Sequence, residues 1–149
     1  MVDRSFMIAA LTIAHIAIAA AWFGHKLLIP GDIRRSVSGG ADQAAPFLAR
    51  LKRAERLGQA TGLGTLLSGG ALLWAVGADT VALGVWIGLG LVLAAIITGA
   101  IVARPASKRL EAAVNAGDRV AATIAGGQIS RVLGAEGVLW VAALTAMVW

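Results

Sequence analysis

The sequence predicts an all-α integral membrane protein, a four-helix bundle contained in one domain. Three observations carry this. Only 14% of the 149 residues are charged, against 58% hydrophobic, and a soluble domain carries about 25% charged residues. Four stretches are long and apolar enough to cross a hydrocarbon layer, which takes about 20 residues of helix. The basic residues gather in the two longer segments between those stretches.

The first stretch runs from about Ser5 to Leu28. It is too long for a signal-peptide core, and Lys26, Pro30 and charged residues follow it instead of a small-residue cleavage site. It therefore reads as a retained span. The second runs from about Leu57 to Val76 and the third from about Val81 to Ala103. The turn Gly77-Ala78-Asp79-Thr80 joins them and predicts antiparallel neighbours. The fourth runs from about Val132 to Trp149. Between the first two spans, Pro30-Gly31 predicts a turn, and Pro46 to Arg56 a basic helical lead into the second span. Pro105 to Arg131 is alanine-rich with interspersed charges. It predicts a cytoplasmic amphipathic helix that lies along the surface or rises into the fourth span.

Orientation follows from charge. Lys26, Arg34, Arg35, Arg50, Lys52, Arg53 and Arg56 flank one polar segment, and Arg104, Lys108, Arg109, Arg119 and Arg131 flank the other. Of 13 Lys and Arg residues these are 12, leaving only Arg4 at the opposite end. The positive-inside rule then puts both segments in the cytoplasm and both termini outside. The setting expected is a bacterial inner membrane, crossed several times. Trp74 and Trp149 should mark the outer interface and Trp22 the inner one. The net charge of +5 fits loops held against anionic lipid. Nucleic acid is not an expected partner, because no aromatic residues interleave with the basic stretches.

Lipid supplies no hydrophobic reason for helices to associate, so small residues that admit close backbone contact should carry the packing. Gly58/Gly62 and Gly84/Gly88 have GxxxG spacing, and Gly64/Ser68 a small-xxx-small spacing. With no cysteine, disulfides, thiolate metal sites and thiol catalysis are excluded. There is no HExxH, no phosphate-binding loop and no internal repeat of the kind many transporters carry.

Few residues could carry chemistry. His15 lies mid-way along the first span, where an ionisable side chain is costly and points to function. It reads either as a haem or metal ligand or as a neutral histidine bonded to a neighbouring helix. His25 lies ten residues on, about 15 Å along the axis, too far to share a metal with His15. It reads as an interfacial residue beside Lys26. Glu136 is the one acid within a span, and it reads either as a structural ion pair, for which depth matching predicts Arg53 or Arg56, or as a proton-relay or cofactor-facing group.

His15-Ile16, Trp22-Phe23, Leu27-Leu28 and Pro30 resemble the first helix of the HemJ-type protoporphyrinogen oxidases. With Gly24, the helix is also similar to the wider CopD-like group of small four-helix membrane proteins. Arg53-Ala54-Glu55-Arg56 resembles the basic lead found there, and Arg131 to Glu136 resembles the arginine and Asn-Glu element that opens the last helix, with Ala135 in place of the asparagine. Trp86 is followed by Ile87-Gly88-Leu89-Gly90, without that family's histidine and lysine. The resemblance implies haem b as cofactor with His15 as an axial ligand, and a redox-related role. A second function from a different class is a non-catalytic subunit, a homo-oligomer or a partner in a larger membrane complex, packing through its small-residue faces.

Overall fold

The computed structural model describes residues 3–38 and 44–148, and the described residues are helical throughout apart from short connections. The elements are α1 (Arg4–Ser38), α2 (Ala44–Val76), α3 (Leu83–Thr98), α4 (Arg104–Asn115) and α5 (Arg119–Val148). A π-helical segment, Gly99–Ala103, joins α3 to α4 without a break. Three helices are long and apolar enough to cross a membrane: Arg4–Val37, the continuous Leu83–Asn115, and Arg119–Val148. Of the most apolar window of α1 only 6% is buried, and Ile13, Leu28 and Leu83 are exposed. Side chains of this kind need an apolar solvent. The predicted second span lies within α2, which is not among the three. Gln59, Thr61, Thr65, Ser68 and its many glycines dilute its apolar character.

Helix lengths differ from the expected spans. At 1.5 Å per residue, the 35 residues of α1 reach about 52 Å, well beyond a hydrocarbon core of about 30 Å. Pro30-Gly31 is not a turn: α1 runs through it to Ser38. Tertiary packing overrides the local signal. Beyond Pro30, Ile33 enters a core with Phe47 and Leu51 of α2, Leu110 of α4 and Ile129 of α5. Arg50 holds this extension, bonding Asp32 through Nε and Nη2 at 3.0 Å and Ser36 at 3.1 Å. The hydrogen bond to Asp32 raises the Arg50 pKa above its ordinary value.

The amphipathic segment also differs from expectation. It breaks at Gly117, which has φ +70°, as a residue ending a helix in the left-handed region does. Asp118 then caps α5, its Oδ1 accepting from the Ala121 N–H at 2.9 Å. The chain reverses there, so α4 packs back on α5 and buries Ala106, Leu110 and Ala113. The apolar face of α4 meets protein, not a lipid surface. The π segment has a local cause. Pro105 has no N–H to give and its ring crowds the carbonyl four residues back. The chain widens just before it, and Arg104 N–H bonds Gly99 O, five residues back.

Neighbour relations set the site. α1 packs on α2 and α5, and α3 packs on α5. α2 and α3 scarcely touch, although a short turn joins them; Gly77, at φ +104°, opens that turn. The expected pairing of these two helices is corrected, because a turn constrains only their ends. Each presents its close-packing glycines to another helix. In α3, Cβ atoms at Gly84 and Gly88 would run into the Ala146 and Ala143 carbonyls of α5. In α2, Gly58, Gly62 and Gly69 receive His25, Trp22 and His15 of α1. A groove is left between α2 and α3.

Candidate functional site

Two cavities lie along this groove and share Leu66 in their walls. One, about 310 Å³, is in the half that carries the termini and is lined by His15, Thr65, Gly69, Trp140 and apolar side chains. The other, about 390 Å³, is in the basic half and is lined by Trp22, His25, Lys26, Gln59, Arg104 and Glu136 among smaller residues. His15, Ile18, Trp22 and His25 recur three and four residues apart and form one stripe of α1 facing α2. The two histidines therefore address the same groove at depths about 15 Å apart.

At His15, Nδ1 lies 2.8 Å from Ser68 Oγ. The serine hydroxyl has one proton, and it lies 2.7 Å from the Gly64 carbonyl, which can only accept. Assigning the proton to that bond makes Nδ1–H the donor to Ser68. In the neutral ring Nε2 then carries the free lone pair. At His25, Nδ1 lies 3.1 Å from the Ala21 carbonyl, and the same reasoning leaves Nε2 as an acceptor, close to Gly58. His25 is thus half-buried against α2.

Glu136 is buried, 3% exposed, and its ion-pair partner is Lys26 through Oε2. This corrects the expected partners Arg53 and Arg56. Depth alone admits both sets, because Lys26 also sits at the basic end of its span. The faces decide: α5 packs closely on α1 and much less on α2, and Arg53 and Arg56 lie exposed on α2. The Lys26 ammonium also sits 4.5 Å from the centre of the Trp22 ring, within cation–π range. Trp22 is 3% exposed, so it is an interior wall residue and not the interfacial ring expected of it. Trp74 is exposed, as a boundary tryptophan can be; the Trp149 side chain lies outside the described residues. Phe23 stacks on Trp140 with ring centres 4.3 Å apart, closing α1 onto α5.

Glu136 Oε1 has no hydrogen-bond partner among the described residues. It rests against Gly99, where an added Cβ would stand 2.8 Å from it. The π segment thus brings bare backbone to the carboxylate, and such segments often occur at functional sites. Among the described residues no three His, Cys, Asp or Glu side chains come together to hold a metal ion.

No family model, curated protein or solved structure matches the chain.

Proposed function

We propose that this is a four-span membrane protein of the HemJ-like or CopD-like kind, with α2 as the fourth crossing. In this reading it binds haem b in the outer half of the groove through His15. The observation that carries the reading is the His15–Ser68 bond at 2.8 Å. Histidines that ligate iron or zinc give their second ring N–H to a fixed acceptor, which orients the ring and raises its basicity. The residues fit haem better than a bare ion. A protein-held metal needs about four donors from side chains or water, and none cluster here among the described residues. Haem brings its own four nitrogens and asks one ligand of the protein. Trp140, Val92 and Leu144 supply apolar walls. A haem there would supply one-electron redox chemistry, while this chain would orient it and keep water out.

α2 crosses in this reading because its hydroxyl side chains are satisfied within the chain. Thr61, Thr65 and Ser68 all bond carbonyls one turn back, and Gly58, Gly62, Gly64 and Gly69 are covered by α1. The non-catalytic subunit reading draws on the same small residues as external contacts, and here they meet the chain's own side chains.

A visible spectrum of the purified protein tests the proposal. A Soret band is expected, lost in His15→Ala and kept in His25→Ala. A colourless protein, or equal retention in both variants, would refute it.

A further inference from the structure

We propose that the cavity in the basic half of the groove binds a lipid-soluble amphiphile with a planar, hydroxyl-bearing head, of the long-chain hydroquinone class. The inference rests on the membrane reading above but does not need haem.

Unsatisfied acceptors carry it first. Glu136 Oε1 is buried at the cavity wall without a donor among the described residues. His25 Nε2, in the neutral ring, offers a second lone pair once Nδ1 has given its proton to Ala21. A buried acceptor without a partner costs free energy, and a ligand hydroxyl relieves that cost. Charge favours a neutral head. The cavity carries Lys26 and Arg104 against Glu55 and Glu136, so the formal charges balance with histidine neutral. Shape selects a flat one. Ala95, Gly99, Ala100 and Ala103 make one wall smooth, and the Trp22 ring, packed over Gly62, lines the cavity as well. Trp22 closes the inner end. The route in is lateral, because α2 and α3 stand apart and Leu63 at the rim is 59% exposed. The tail would leave by the same gap into lipid. At about 390 Å³ the cavity falls in the range of small-molecule sites.

The test is equilibrium binding of tritiated decylhydroquinone, kept reduced, to the full chain in lipid nanodiscs. Saturable binding near one per protein is expected. The dimethyl ether of the same compound has no hydroxyl to donate and should bind at least tenfold more weakly. Ala100→Phe fills the cavity from an exposed position and should abolish binding while the helical circular dichroism stays unchanged. His25→Phe should weaken it by up to about tenfold, the value of one net hydrogen bond. The proposal is overturned by any of three results: no saturable binding, equal affinity for the ether, or full binding in a folded Ala100→Phe. Complete competition by dioleoylglycerol would reassign the cavity to an aliphatic hydroxyl lipid and likewise overturn the hydroquinone class. All these readouts are independent of a Soret band, so failure here leaves the His15 reading standing, and the converse holds.

Discussion

At the scale of single residues, the groove is governed by which polar atoms have partners. Ser68 has one proton and two demands on it, and the proton's placement decides which His15 nitrogen is free. Ser68→Ala removes the acceptor for Nδ1–H without touching the groove wall. Its expected effect is a 10- to 100-fold loss of haem affinity, as for other orienting partners of a ligating histidine, read by haem titration of the apoprotein. The Lys26–Glu136 pair gives a second prediction. Lys26→Met leaves a carboxylate buried and unpaired, and should destabilise by about 3 kcal/mol. Lys26→Met with Glu136→Leu removes both charges and should recover stability to within about 1 kcal/mol of the parent. Detergent-induced unfolding measures both, and equal losses in the single and double variants would contradict the pair's role. The acid in the apolar run of α5 and its need for a base were legible in the sequence, and so was its place along the helix. The partner was not, because depth along a helix says nothing about which neighbouring helix its face meets.

At the scale of elements, small residues decide which helices approach closely. The GxxxG pair Gly84/Gly88 meets the backbone of α5, as packing without a hydrophobic drive requires. Gly84→Ala would place a methyl group on the Ala146 carbonyl and should lower the unfolding midpoint markedly, by the equivalent of about 2 kcal/mol for overpacking. Gly90→Ala, on the same helix with open space around it, should be neutral or slightly stabilising, since alanine favours helix over glycine. Thermal unfolding of the two variants separates the cases. The spacing of these glycines was readable from the sequence; that they serve α3–α5 rather than α2–α3 was not. Two element boundaries were missed for different reasons. Gly117-Asp118 carries a recognisable helix stop and start, yet the alanine-rich run around it reads as continuous. Pro30-Gly31 carries a turn signal that the Ile33 core contact and the Asp32–Arg50 bonds override.

At the scale of the whole molecule, α1 and α2 are longer than a hydrocarbon core requires. The α1 extension, the start of α2, α4 and the start of α5 share a core around Phe47 and Leu110, and most of the basic residues decorate it. In the proposed topology this small bundle stands in the cytoplasm and both termini lie outside. A C-terminal alkaline phosphatase fusion should be active and a C-terminal green fluorescent protein dark. Arg109→Cys should react with an impermeant maleimide only from the cytoplasmic side. Reversed reporter activities would overturn the orientation.

Composition and the order of apolar and basic segments were enough to determine a helical chain with helices long and apolar enough to cross a membrane and a basic end, because solvent preference is a property of each segment alone. His15 and Glu136 stood out for the same reason: a polar group in an apolar run is costly wherever it lies. Only the tertiary structure decided that α2 and α3 part, that Lys26 meets Glu136, and that both histidines of α1 line one groove. Those facts depend on which face each helix turns to which neighbour. Helices that are apolar almost all round carry no periodic pattern to announce it, so the faces are chosen by close packing of glycines against particular side chains.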